Sequence, residues 1–130
     1  MVTRVSTGSP FEKTFGYSRA VRDGEMVYVS GTTGYDYETM TMPEGAGAQA
    51  KNALATIAKA LEDAGAAIED VVRVVYYVTD TAFVDDVVAA VGPVFADVRP
   101  AASMVVCGLI KPEMKVEIEV TARIGAASSQ

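Results

Sequence analysis

The sequence predicts a two-layer α+β domain in which one β-sheet carries two helices on a single face, and three segments predict it. Lys115 to Ile124 alternates without a break: Val116, Ile118, Val120, Ala122 and Ile124 face in, while Lys115, Glu117, Glu119, Thr121 and Arg123 face the other way. Leu54, Ile57, Leu61 and Ala64 recur at helical spacing, with Ala50, Ala53 and Ala58 beside them. Val71 to Thr79 is dense in β-branched residues and tyrosine, side chains that suit a pleated, half-buried surface.

The remaining elements follow in chain order. Met1 to Pro10 is polar, has no apolar stretch behind its arginine and does not read as a signal peptide. Tyr17 to Val21 and Met26 to Ser30 read as short strands joined by a turn at Asp23-Gly24. A loop from Gly31 to Thr41 brings in Tyr35, Tyr37 and Met40, with Met42 just beyond. Thr41-x-x-Glu44 has the form of a capping box, and the helix proper runs from about Ala46 to Ala64, where Gly65 stops it. After the Val71 strand, Asp80 or Thr81 caps a second helix with Phe83, Val87, Val91 and Phe95 on one face, kinked or restarted at Pro93. Ser103 to Ile110 is an apolar strand, and the alternating strand closes the domain.

The resulting order, β-β-α-β-α-β-β, places both helices on one face of the sheet. Residues 1–124 form a single domain and 125–130 a flexible tail. Val71, Val75 and Tyr77 on one strand, and Met104 and Val106 or Val105 and Cys107 on the next, leave both sheet faces apolar, so burial of the uncovered face against other subunits is expected.

Composition removes whole classes of chemistry. The 130 residues carry a net charge of −6, and the 11 basic residues are scattered, so no cationic surface for a phosphate backbone is expected. No apolar run approaches the ~20 residues of a membrane span. One cysteine, Cys107, rules out a disulfide framework and points to the cytoplasm. With no histidine, imidazole catalysis is excluded, and a zinc or iron site is not expected. What remains is cofactor-free chemistry run by carboxylates, hydroxyls, arginine and backbone groups.

Six segments occur in order between about Gly16 and Arg123: Gly16-Tyr17-Ser18-Arg19-Ala20, Val29-Ser30-Gly31, a helix ending in Ala64-Gly65, Asp70-Val71-Val72-Arg73, Arg99-Pro100-Ala101, and Val116-Glu117-Ile118-Glu119. As a set they resemble the Rid family, the reactive-intermediate deaminases also called the YjgF family. The resemblance implies a chorismate-mutase-like (YjgF-like) subunit, a homotrimer whose sheets line a central barrel, and a cleft between each pair of neighbours. It also implies cofactor-free hydrolysis of 2-imino acids or their enamine tautomers to 2-oxo acids and ammonia. In that family a Pro-Ala-Arg motif supplies the arginine that holds the substrate carboxylate. Here the motif reads Pro100-Ala101-Ala102, and alanine offers no such contact.

By the same resemblance the site is built from Tyr17, Arg19, Ser30, Gly31, Ala102, Ser103 and Glu119. Glu119 matches the family's pocket carboxylate, which positions or activates water, although a glutamate on the polar face of a strand is ordinarily just solvated. Tyr17 packs on the ligand or donates to it, or is simply a half-buried strand tyrosine. Ser30-Gly31 allows close backbone approach. Arg19 stands where the family has glutamine. It either supplies the cation missing at Ala102 or pairs with a rim carboxylate at the surface. Arg99, held extended by Pro100, points to solvent. Cys107 reads as an inert core thiol. Tyr35, Tyr37, Met40 and Met42 form a cleft lid or pack on a neighbouring subunit. The expected activity is water addition to an imine or enamine, or tautomerisation, on a small metabolite that is not a standard 2-imino acid. The alternative is a binding protein without chemistry. The ribonuclease activity attributed to some relatives fits poorly with an acidic chain that lacks histidine.

Overall fold

The computed structural model describes residues 2–128. Six strands form one sheet: β1 (Val2–Val5), β2 (Ala20–Asp23), β3 (Met26–Thr32), β4 (Val71–Val78), β5 (Ala101–Val106) and β6 (Val116–Arg123). Their spatial order is β1-β2-β3-β6-β4-β5, antiparallel except for the parallel β4–β5 pair at the edge. Helices α2 (Ala46–Asp63) and α3 (Val84–Phe95) pack together, and α2 lies on β3 and β6. This is the predicted α+β architecture, with a core of strand valines and isoleucine against the alanine-rich stripe of α2.

β6 behaves as its alternation dictates. Val116, Ile118 and Ala122 are 0% exposed and Val120 3%, while Glu117, Glu119 and Thr121 stand on the opposite face. On β4 the register shifts between Val71 and Arg73. Val71 therefore turns into the core with Val74, Tyr76 and Val78, and Val72 faces out. Val71 thus lies on the helix-covered face, whereas Val75 and Tyr77 lie on the uncovered one, half-buried.

Two elements at the start of the chain were not anticipated. β1 adds to the hairpin edge, and a short helix α1 (Pro10–Phe15) follows. The signals for α1 are plain in retrospect. The Ser9 hydroxyl accepts from Phe11 N–H as an N-cap, Pro10 occupies the first turn, and Gly16 closes the helix at φ 75°. Because Gly16 turns the chain there, Tyr17 to Arg19 is an irregular crossing and not the expected strand; β2 begins at Ala20.

Other boundaries shift for identifiable reasons. Gly45, not Thr41, caps α2, and no side chain bonds there. Thr41 instead pairs its backbone with Asp36. Asp80 caps a 3-10 turn at Thr81–Phe83 that leads into α3, and α3 runs through Pro93 to Phe95. β5 stops at Val106 because β4, its one strand partner among the described residues, stops at Val78. Arg99 is not extended: its φ is 55°, and its N–H bonds Phe95 O as the chain leaves α3. The expected loose tail contains a 3-10 turn at Ala126–Ser128, tied down where Ala127 N–H donates to the buried Asp70 carboxylate at 3.2 Å. Ser129 and Gln130 lie outside the described residues. Among the described residues no helix is long and apolar enough to cross a membrane.

Candidate functional site

The site grows out of a defect in the sheet. Val29 pairs with Val120 but Thr32 with Ile118, so three steps along β3 match two along β6. The extra residue is a bulge at Ser30–Gly31, where the strand bends. The Glu117 side chain lies across Gly31: a Cβ on that glycine would come within 2.8 Å of the Glu117 Cδ and 2.9 Å of its Oε1. Only a residue without a side chain leaves that space to a carboxylate.

Beside the bulge is a cavity of about 610 Å³. Tyr17, Ser30, Gly31, Tyr37, Tyr77 and Glu117 supply its polar and aromatic wall. Phe11, Phe15, Leu109, Ile110 and Met114 supply an apolar one. Phe15 and Ile110 at this cavity are 59% and 66% exposed. Burial pushes the Glu117 carboxyl above the usual carboxylate range; the charge of Arg19 partly offsets this and the neighbouring Glu119 adds to it. A carboxyl so placed holds or releases a proton closer to neutral pH than a solvated one.

Arg19 lies behind the cavity wall, 0% exposed. One Nη donates to Gly31 O at 2.8 Å and to Thr32 Oγ1 at 3.0 Å. The other donates to the Tyr17 hydroxyl at 3.2 Å. Its guanidinium carbon is 5.4 Å from the Tyr17 ring centre and 5.1 Å from that of Tyr37. The Nε faces Glu12 Oε2 at 3.9 Å without a hydrogen bond. Glu12, itself 6% exposed, accepts from the Thr7 N–H and hydroxyl. Burial pushes the Glu12 carboxyl up, but the hydrogen bonds of Thr7 and Ser6 and the Arg19 charge outweigh it and leave it below its ordinary range.

The predicted site residues thus divide. Tyr17, Ser30 and Gly31 meet at the cavity. Arg19 does project toward Tyr17, but it is neither a surface arginine nor a free cation, since both Nη groups are already engaged. Glu119 is not in the cavity wall. Its carboxylate accepts from the Tyr77 hydroxyl, one step back from the cavity that Tyr77 itself lines. Ala102 and Ser103 stand on β5, beyond β6 and β4 from the bulge, and line no part of this cavity. Cys107 is not a core thiol: it is half-buried and lines the cavity just past the end of β5. Tyr35 is 5% exposed, packs between Phe11 and Tyr37 at ring-centre distances of 5.7 and 6.1 Å, and donates to Glu113 at 2.6 Å. Of Tyr35, Tyr37, Met40 and Met42, Tyr37 alone lines the cavity, as part of its wall.

Sequence reasoning passed over Glu117 in favour of Glu119. The two sit on one face of β6, and alternation cannot rank them; the bulge does. Glu12 was legible only through the Ser9-Pro10 start of its helix.

Comparison with known proteins gives the lineage. The family model described as endoribonuclease L-PSP matches residues 7–124. The chain belongs to the YjgF/Rid family. It is 36% identical over 129 residues to an uncharacterized Streptomyces coelicolor protein, SCO2049, covering 98% of this chain and 96% of that one. The crystal structure of Rv2704 from Mycobacterium tuberculosis, a member of the YjgF/YER057c/UK114 family, is 43% identical. It superposes with a TM-score of 0.87 over 95% of this chain and 100% of its own. RidA from an Antarctic Psychrobacter is 33% identical, with a TM-score of 0.78 over 83% of this chain and 88% of its own. Family membership supports a small-molecule function.

Proposed function

We propose that the cavity beside the Ser30–Gly31 bulge takes a small metabolite and that Glu117 moves a proton in it. The reaction this best suits is hydrolytic deamination of an imine or enamine. Water adds to the C=N carbon as Glu117 takes one of its protons, and the nitrogen gains a proton. The carbinolamine then expels ammonia and leaves a carbonyl. Tautomerisation of an enamine needs the same proton transfer without the water. The observation that supports this is the carboxylate laid over Gly31 in a partly apolar wall, with its proton affinity raised by burial.

The exposed Phe15 and Ile110 at the cavity, and the half-covered outer sheet face, suit completion by a second protomer of a cytosolic homotrimer. Ala102 and Ser103, on the far edge strand, would then enter the cleft from the neighbour. No arginine stands at position 102, so a standard 2-imino acid is disfavoured as substrate.

The test is direct. Imines and enamines are generated in situ by an amine or amino acid oxidase, with semicarbazide competing for them, and carbonyl release is followed with and without the protein. Acceleration by the wild type that Glu117→Gln abolishes supports the enzyme. Binding of metabolites without any acceleration supports the second reading, a carrier, which the missing arginine favours. Ala102→Arg is expected to create 2-imino acid hydrolysis if carboxylate anchoring is the only missing part. The ribonuclease named by the family model is addressed by incubating RNA with purified protein; we expect no cleavage, given the net charge of −6.

A further inference from the structure

We propose that Arg19 is a positioning residue that turns the Tyr17 hydroxyl into an obligate hydrogen-bond donor toward the cavity. The ligand must therefore present an acceptor atom at that end. This rests on the reading of the cavity as the ligand site, and it adds what kind of ligand fits.

A guanidinium has only donors. When Arg19 Nη2 gives its hydrogen to Tyr17 Oη at 3.2 Å, the phenol proton cannot be returned to it and must point elsewhere. Among the described residues Tyr17 Oη has no other hydrogen-bond partner, and Tyr17 lines the cavity. Arg19 is held for this task. It is 0% exposed, its other Nη is fixed on Gly31 O and Thr32 Oγ1, and the buried Glu12 stands behind its Nε. A buried arginine with that much support does not swing away to meet a ligand.

The opposite holds at Ser30. Its hydroxyl donates to Ser18 O at 2.7 Å, so toward the cavity its oxygen only accepts. The ionised carboxylate of Glu117 likewise only accepts. The wall therefore offers a donor at Tyr17 and acceptors at Ser30 and Glu117. The complement is an uncharged molecule with an apolar body, a lone pair at one end, and N–H or O–H groups beside it, the pattern of an amide or an enamino ketone. A protonated amine or a hydrocarbon, neither of which has an acceptor, leaves the Tyr17 proton unpaired.

The experiment uses the full-length protein and two probes of nearly equal size, para-fluoroacetophenone and para-fluoroethylbenzene, titrated by fluorine NMR. The wild type is expected to bind the ketone roughly three- to tenfold more tightly than the hydrocarbon, the worth of one neutral hydrogen bond. Tyr17→Phe and Arg19→Met are each expected to erase that preference while leaving the hydrocarbon affinity unchanged. A merely structural role for Arg19 would weaken both probes alike, and that result overturns the proposal. If Arg19→Met does not fold, Arg19→Lys replaces it, with a preference at least halved because an ammonium lacks the planar fork. Equal binding of both probes by the wild type, or full preference retained in Tyr17→Phe or in the Arg19 variant, overturns the role of Arg19 but leaves the cavity as a ligand site. Failure of both probes to bind removes the site itself, and the proposal with it.

Discussion

Glu117 and Glu119 are neighbours on one face of one strand, yet they occupy different chemical worlds. Glu117 meets a bulge, a glycine and a partly apolar cavity, and its carboxyl is pushed toward the neutral form. Glu119 sits one pleat further along against an unbroken stretch of β4, opposite Val75, and satisfies itself on Tyr77. The donated hydrogen bond raises the Tyr77 phenol above its ordinary value, with burial adding to it. Residue type and strand face do not fix the environment of a carboxylate. The irregularity opposite it does.

The largest expected effect breaks the pair directly. Glu117→Gln should lower turnover in the imine assay by roughly 100-fold or more, the usual worth of a general acid–base group, whereas Glu119→Gln should change it only a few-fold. Equal losses would mean that the two carboxylates act as a unit. Because burial disfavours the charged form of Glu117, its glutamine variant should melt no lower than the wild type at pH 7. Activity that needs the ionised form should rise with pH through a midpoint above the ordinary 4.5 of a glutamate.

A second measurement probes the support behind Glu117. Glu12→Gln leaves buried Arg19 without its counter-charge and should cost about 2 kcal/mol in denaturant unfolding at pH 7. Despite burial, the hydrogen bonds of Thr7 and Ser6 and the charge of Arg19 hold the folded-state pKa of Glu12 below its ordinary 4.5. Its contribution is therefore complete above that value and fades as pH falls through the lowered one, so wild type and variant should converge in acid.

Gly31→Ala sharpens the comparison further. The three atoms nearest the new methyl all belong to the flexible Glu117 side chain, so stability should barely change while turnover falls about tenfold through the displaced carboxylate. Gly34→Ala is its control: there the methyl would lie 2.6 Å from the Gln49 backbone Cα, and about 1–3 kcal/mol of stability should be lost. The smallest effect belongs to Lys59→Ala. Its 2.6 Å bond to Asp63 lies on the open face of α2, and the melting temperature should not move measurably.

The sheet, the two long helices and the family were legible because they rest on local regularities. The alternation of β6, the helical stripe of α2 and the Gly65 stop each dictate which atoms leave water, whatever the rest of the chain does. The candidate site was legible in part. Tyr17, Ser30 and Gly31 could be named, since the Gly16-Tyr17-Ser18-Arg19-Ala20 and Val29-Ser30-Gly31 segments resemble the family's motifs. Glu117 could not be preferred over Glu119, nor the burial of Arg19 foreseen, because both depend on distant segments. The bulge is a matter of register between β3 and β6, and the Arg19 pocket closes only when α1 brings in Glu12 and the Tyr35–Tyr37 loop folds over.

The sequence by itself determined the periodic part of this protein, since burial of a stripe or a face needs only near neighbours in the chain. Tertiary structure decided which polar groups lose water and which find partners. Desolvation and hydrogen bonding are set by what arrives from elsewhere in the fold, and here that choice separated a poised carboxylate from a satisfied one two residues away.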